Sequence, residues 1–151
     1  MIEELNNKIK NSEPALVVRA IEPTFPWDTA IGYLQHCADN EVGGPVDVLT
    51  YKLPYANQID SITPVYDYLR ENIEEEVVSA DLYVKLTTKT ESTYTGKNGV
   101  LIWNVLGDNT LALPDVVKDI EAGDLIYIPK ETEFKLKPKE ANAFVVFGLG
   151  K

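Results

Sequence analysis

The chain has 151 residues, the size of one domain, and 44% hydrophobic with 25% charged residues is the composition of a globular protein with an apolar core. Twenty-four acidic against fourteen basic residues give a formal net charge of −10, and only Arg19 and Arg70 are arginines. This balance argues against binding to nucleic acid or to an anionic membrane surface, because both require a basic patch.

The counts of metal-binding residues are also restrictive. The chain has one histidine, His36, and one cysteine, Cys37. These counts exclude an internal disulfide, multi-cysteine zinc motifs and any site that needs two histidines from one chain. No apolar run approaches the roughly 20 residues that span a bilayer, and the first residues do not resemble a signal peptide, so we predict a cytoplasmic protein.

Residues 1–80 are predicted to form a mainly helical lead-in layer. Its predicted elements are a helix over residues 2–10, a strand over 15–18, a loop over 22–27, a helix over 28–39, a strand over 46–53 and a helix over 63–75. Asp28 is the predicted N-cap of the second helix. Thr63 and Pro64 mark the start of the third, because proline is favoured in the first turn of a helix. Spacings of three and four predict a buried face on that helix, made of Val65, Tyr68, Leu69 and Ile73.

From Asp81 onward the hydrophobic period changes to two, which predicts β-strands. One strand is predicted to begin at residue 81. Further strands are predicted over residues 92–97, 100–106, 110–113, 125–128, 134–136 and 143–149. Asn98-Gly99 is a two-residue hairpin signal between the second and third of these strands. Turns are also predicted at residues 107–109 and 121–124. We therefore predict one domain over residues 1–151, mainly β, in which residues 81–151 form a jelly-roll barrel and the N-terminal helices pack outside it.

Two segments resemble motifs of the cupin superfamily. Residues 121–129, Glu-Ala-Gly-Asp-Leu-Ile-Tyr-Ile-Pro, resemble its second conserved motif, most closely in the branch that contains the JmjC and related iron- and 2-oxoglutarate-dependent oxygenases. Residues 100–107 resemble the strand and turn that follow the first metal-binding motif of that branch. The lead-in at residues 14–18 and 25–27 is similar as well. The resemblance covers residues 14–149 in outline and 94–134 in motif detail, and it implies a cupin-like double-stranded β-helix.

The resemblance also locates the positions of the oxygenase ligands. The His-x-Asp motif falls on Tyr94 and Gly96, the second histidine on Phe134, and the lysine that often binds the 2-oxoglutarate carboxylate on Asn109. None of these four residues is the one that the family uses. We therefore predict that the metal site is not retained, and that the chain holds neither a metal nor a cofactor there.

Two interpretations of the predicted barrel interior are open. Tyr94 and Phe134 either fill the former metal cavity as core, or line a pocket, since small-molecule pockets combine apolar walls with a few polar groups. Alternation on the strand over residues 100–106 predicts that Val100, Ile102 and Asn104 face inward and Trp103 outward. The candidate pocket residues are Tyr94, Gly96, Asn104, Asn109, Tyr127 and Phe134.

Three classes of function follow, of which one, a true oxygenase whose ligands lie at other positions, is disfavoured by the single histidine. The first is a non-catalytic, degenerate cupin-like protein that acts as a binding or assembly module, with a residual aromatic pocket. The alternative is an enzyme or binding protein that uses a carboxylate-bound cation or another non-histidine site. The acidic residues near the predicted barrel rims are Glu91, Asp108, Asp124, Glu131 and Glu133. We interpret them as a solvated acidic surface of a protein with net charge −10, with an all-oxygen cation site as the alternative. We predict a homodimer, because exposed strand edges have to be covered.

Overall fold

The computed structural model describes residues 2–30, 50–85 and 92–150. Its helices are α1 (Ile2–Lys10), a 3₁₀ turn (Ala56–Gln58) and α2 (Thr63–Asn72), and residues 27–30 are also helical. Its strands are β1 (Ala15–Val17), β2 (Thr50–Leu53), β3 (Val77–Lys85), β4 (Ser92–Tyr94), β5 (Val100–Leu106), β6 (Asn109–Ala112), β7 (Val117–Ile120), β8 (Leu125–Ile128), β9 (Phe134–Pro138) and β10 (Asn142–Leu149). The remainder of the helix predicted over residues 28–39, with His36 and Cys37, lies outside the described residues, as do 46–49 of the predicted strand 46–53 and Glu91.

The strands form two antiparallel sheets. The larger has the order β1-β8-β5-β10-β3-β2, and the smaller has the order β4-β9-β6-β7. From β3 onward the chain crosses repeatedly between the sheets, which is the connectivity of a jelly roll. The predicted class, mainly β with jelly-roll connectivity, is confirmed.

Two hydrophobic cores lie on opposite faces of the larger sheet. The outer core joins that sheet to the helices and includes Leu5, Leu69, Trp103 and Phe147. Its two tryptophans are Trp27 and Trp103, and the Trp103 indole donates a hydrogen bond to the Ile21 carbonyl at 2.8 Å. The inner core fills the space between the sheets. Residues 101–105 of β5 are therefore all buried, because both faces of this strand are covered.

The inner core alternates with the outer core along the strands. Its buried members are Ile102, Leu111, Ile120, Ile126, Ile128, Phe134, Leu136 and Phe144. On β5, Ile102 faces the barrel interior and Trp103 faces the helical layer, as the alternation predicts.

Helix α2 is shorter than predicted, and its buried face is shifted. The helix ends at Asn72, and Ile73 is already extended, with φ −84° and ψ 127°. Tyr66 is buried and stacks on Phe147 with a centroid separation of 6.3 Å, whereas Tyr68 is 39% exposed. The prediction that Tyr68 is buried was wrong, because the buried residues are 66 and 69 in the helix and 62 and 73 at its two ends.

The predicted hairpin at Asn98-Gly99 was also wrong. Strand β4 pairs with β9 in the smaller sheet, whereas β5 pairs with β8 and β10 in the larger one. The dipeptide therefore connects two sheets, and neither residue has the positive φ that a type I′ turn requires. Among the described glycines, positive φ occurs at Gly107 (76°) and Gly123 (95°), in the other two predicted turns.

The remaining differences concern strand boundaries. β3 begins at Val77, before the predicted change of period at Asp81, and β4 ends at Tyr94 rather than at residue 97. Strand β7 was not predicted. None of the described helices is long and apolar enough to cross a lipid bilayer.

Candidate functional site

The pair Tyr94 and Phe134 forms the centre of the candidate site. The two residues are direct partners in the antiparallel pairing of β4 with β9, so their side chains share the inward face. Their rings stack, with centroids 5.1 Å apart and an interplanar angle of 19°. Phe134 is buried and Tyr94 is half-buried. Two positions that are forty residues apart in sequence thus meet inside the barrel.

Two further rings extend this pair into an aromatic cluster of Tyr83, Tyr94, Phe134 and Phe144. Tyr83 meets Tyr94 edge to face at 6.0 Å and stacks on Phe144 at 5.2 Å. These are the offset and edge-to-face geometries that aromatic rings prefer. Tyr83 and Phe144 are direct partners across β3 and β10, which fixes the stack by strand register.

A cavity of about 160 Å³ lies against this cluster, and we call it the aromatic cavity. Its walls include Tyr83, Tyr94, Gly96 and Phe134, and Thr95, Asn98 and Thr132 supply the polar groups. The carbonyl of Gly96 accepts a hydrogen bond from the N–H of Glu131 at 2.7 Å. This bond ties the β4–β5 connection to the β8–β9 loop beside the cavity.

Asn104 and Asn109 lie elsewhere in the barrel. Both are fully buried, and the Asn109 amide donates to the side-chain oxygen of Asn104 at 3.4 Å. The Asn104 amide donates to the carbonyl of Gly107 at 2.7 Å. Along β10, the aromatic cavity borders Val146, whereas the asparagines lie toward the Asn142 end. The two residues therefore form a polar cluster at the β5–β6 turn and do not line the aromatic cavity.

Tyr127 does not line the aromatic cavity. Its neighbours Ile126 and Ile128 belong to the inner core, so alternation along β8 places Tyr127 in the outer core. Burial raises the pKa of the Tyr127 hydroxyl, and the negative charge of Glu75 raises it further. Of the six candidate residues, the structure brings Tyr94, Gly96 and Phe134 together.

The residues at the positions that the sequence resemblance assigns to the iron ligands do not fit an iron site. Iron(II) in a facial triad requires two imidazoles and one carboxylate. Tyr94 offers one phenol oxygen, and neither Gly96 nor Phe134 has a side-chain ligand atom. Asn109 is a neutral amide at the position of the family's lysine, so it supplies no charge for a keto acid.

The acidic residues do not assemble a cation site in the described part of the chain. Asp124 is buried, and its two oxygens accept hydrogen bonds from the main-chain N–H groups of Arg19 at 2.9 Å and Glu121 at 2.8 Å. Its carboxylate thus organises a turn. Glu131 and Glu133 are exposed, and Asp108 is half-buried. No group of three or more His, Cys, Asp or Glu side chains suited to a metal occurs among the residues described.

Lys85 is a buried cation on the inward face of β3. Its side chain is 1% exposed, and its ammonium lies 5.8 Å from the centre of the Phe144 ring. Burial lowers the pKa of Lys85 from 10.5 to about 8. The protein therefore carries a titratable group inside the barrel that the sequence analysis did not single out. Its signal was the alternation of Tyr83 and Lys85 against Leu82 and Val84.

This pKa predicts a pH-dependent stability. Between pH 8 and 10.5 the unfolded chain holds a proton on Lys85 that the folded chain releases, so stability rises with pH across this window. We expect a gain of at most about 3 kcal/mol. Unfolding measured at several pH values checks this, with Lys85→Met as the comparison. If the free energies of unfolding of Lys85→Met and the parent changed in parallel with pH, the lowered pKa of Lys85 would be contradicted.

Comparison with known proteins identifies similar folds. No family model and no curated protein sequence matches the chain. The solved structure of YcfD, a ribosomal oxygenase from Escherichia coli, superposes with a TM-score of 0.71 at 13% identity, covering 92% of this chain and 48% of that one. YcfD in complex with cobalt and 2-oxoglutarate gives a TM-score of 0.68 at 14% identity, with the same coverage.

A second similar structure is salicylate 1,2-dioxygenase from Pseudoaminobacter salicylatoxidans with gentisate. Its TM-score is 0.54 at 13% identity, and the match covers 81% of this chain and 31% of the dioxygenase. The chain thus spans about half the length of YcfD and a third of the dioxygenase. At these identities the likeness concerns the fold. The chain has a cupin-like fold, in an arrangement similar to that of YcfD.

Proposed function

We propose that this chain is a non-catalytic, cupin-like binding module whose aromatic cavity holds a small, planar, largely apolar molecule. The observation that carries the proposal is the meeting of Tyr94, Gly96 and Phe134 at one cavity. These are the positions where the sequence resemblance places the iron ligands. Two aromatic rings and a glycine at these positions favour contact with an apolar molecule over coordination of a metal ion.

The size and chemistry of the cavity define the ligand class. Its volume of about 160 Å³ is close to that of an engineered apolar cavity of about 150 Å³ that binds benzene. Tyr94 and Phe134, stacked on each other, supply aromatic wall, and Thr132 and Asn98 are polar residues of the lining. A ring bearing one hydroxyl group suits these walls.

Titration with phenol, followed by the backbone amide resonances, tests the proposal. We expect shifts at Thr95 and Gly96, and an affinity for phenol that exceeds that for cyclohexanol, because a saturated ring cannot stack. Tyr94→Leu should weaken phenol binding by about two- to tenfold, the worth of one aromatic contact. Tyr68→Leu, which removes an exposed tyrosine from α2, is the matched control. Equal affinities for the two ligands, or an unchanged Tyr94→Leu variant, would contradict the proposal.

The carboxylate-bound cation is the alternative, and metal analysis separates it from the proposal. Protein purified without chelators is expected to contain far less than one metal ion per chain, because the described site lacks ligands. Stoichiometric iron would overturn the non-catalytic assignment. Stoichiometric calcium or magnesium would favour the carboxylate site instead.

The homodimer inferred from the sequence stays a prediction, as does the cytoplasmic location. Light scattering over a micromolar concentration series checks the first. We expect a mass near twice the 16.8 kDa of one chain, and a constant mass near the single-chain value would refute the dimer.

A further inference from the structure

A second cavity, about three times larger than the aromatic one, opens at the side of the barrel. Its volume is about 490 Å³, within the range of roughly 300–1,000 Å³ typical of small-molecule sites. It lies between β1, an edge strand of the larger sheet, and the β6–β7 hairpin, whose β7 is an edge strand of the smaller sheet. We call it the lateral cavity.

The walls of the lateral cavity are mainly apolar. Leu16 and Ile126 are direct partners across β1 and β8, and with Leu111 they bring inner-core side chains to the cavity surface. Leu113 and Val116 continue this surface along the hairpin. The cavity therefore reaches the apolar interior between the two sheets.

Lys118, an exposed residue of β7, borders these apolar walls. Lys118 is the direct partner of the buried Leu111 across β6 and β7, so its side chain starts on the inward face of the sheet. It lines the lateral cavity and makes no ion pair with any of the residues that the structure describes. A cation at the edge of an apolar cavity is suited to a ligand with one anionic end.

The second charged residue of the lining is Asp115. It lies in the turn between Leu113 and Val116, which two main-chain hydrogen bonds close at 2.8 and 3.4 Å. Asp115 is exposed at this turn, outside the strand register that directs Lys118 inward. Its charge opposes an anion, so removing it should strengthen the binding of one.

We propose that the lateral cavity binds a molecule with an apolar chain and one terminal carboxylate, with the chain against Leu16, Leu111 and Ile126 and the carboxylate at Lys118. The two cavities share Pro129 and Thr132 in their walls, and the residues that carry this proposal belong to the lateral cavity alone. The competing explanation is that Lys118 only protects an edge strand, because inward-pointing charges prevent strands from pairing with other molecules. That explanation predicts no preference for an anionic ligand.

Parallel titrations with octanoate and octan-1-ol, followed by amide resonances, separate the two explanations. We expect octanoate to shift Leu16 and Ile126 and to bind more tightly than the alcohol. Lys118→Met should weaken the binding of octanoate about tenfold, as expected for loss of a charge-assisted contact. The binding of octan-1-ol should be unchanged. Asp115→Asn should strengthen the binding of octanoate. Added salt should weaken the binding of octanoate and leave that of octan-1-ol unchanged.

Three outcomes would overturn the proposal. The first is an affinity for octanoate no greater than that for octan-1-ol, and the second is a Lys118→Met variant that binds both ligands as the parent does. The third is octanoate binding that shifts Gly96 in place of Leu16. Tyr94→Leu should leave octanoate binding unchanged, so failure at one cavity is distinguishable from failure at the other.

Discussion

Replacing Tyr94 by His, Gly96 by Asp and Phe134 by His in one variant is expected to create a site for a divalent transition metal. Tyr94 and Phe134 are direct strand partners, so two imidazoles at these positions would start on neighbouring Cα atoms of one face. Gly96 lines the same cavity and its φ is not positive, so an aspartate is compatible with its backbone. A Cβ there would lie 3.0 Å from the Asn98 carbonyl oxygen, which has to move slightly.

Calorimetric titration with cobalt(II), zinc(II) or iron(II) measures this gain. We expect the dissociation constant to fall from above about 1 mM in the parent to about 10 µM or below in the triple variant, a change of at least about 3 kcal/mol. The matched control carries Tyr94→His and Gly96→Asp with Lys135→His. Lys135 neighbours Phe134 on β9, so alternation directs that third imidazole to the opposite face.

The metal-loaded triple variant is still expected to lack 2-oxoglutarate-dependent turnover, because Asn109 cannot pair with the carboxylate of the keto acid. Metal binding by the parent through Tyr94 would contradict the degenerate-oxygenase interpretation. So would a control variant that binds metal as tightly as the triple variant.

The largest expected loss of stability concerns Gly107. This residue has φ 76°, and a Cβ there would overlap the carbonyl oxygen of Ala141 and approach the Asn142 backbone at 3.1 Å. An alanine in this left-handed region costs about 1–2 kcal/mol. The overlap with a neighbouring backbone adds about 1–3 kcal/mol, since the backbone cannot move aside cheaply.

Gly123→Ala is the matched control for Gly107→Ala. Gly123 also has positive φ, 95°, but a Cβ there would meet nothing closer than 3.4 Å. We therefore expect the conformational cost alone, about 1–2 kcal/mol, and a larger loss at Gly107. Chemical denaturation of both variants measures the difference. Equal losses would show that the β10 backbone accommodates the added carbon.

Period-two patterning predicted the strands that carry large apolar residues. Strands β8 and β10 were found because Leu125–Ile128 and the Ala143–Leu149 stretch are strongly apolar. β7 was missed because its residues Val117, Lys118 and Asp119 are all exposed at a sheet edge, where burial imposes no alternation. The hairpin predicted at Asn98-Gly99 was wrong because a turn signal is local. The placement of β4 and β5 in different sheets depends on long-range strand pairing.

The candidate site was predicted in part. Tyr94, Gly96 and Phe134 were found only through the sequence resemblance, since no local pattern connects them. Tyr127 could have been rejected from the sequence, because it alternates with Ile126 and Ile128. The lateral cavity was not foreseen, because the inward position of Lys118 depends on the register of β6 with β7.

Because the two cores contain different aromatic residues, two spectroscopic signals report separately on the unfolding of the two layers. Trp27 and Trp103 lie in the outer core, whereas the aromatic cluster inside the barrel contains only tyrosine and phenylalanine. Indole fluorescence therefore follows detachment of the helical layer, and the ring resonances of Tyr94 and Phe134 follow opening of the barrel. Coincident transitions would mean that both layers melt as one unit. An earlier change in the indole signal would reveal a barrel that persists after its helices have left.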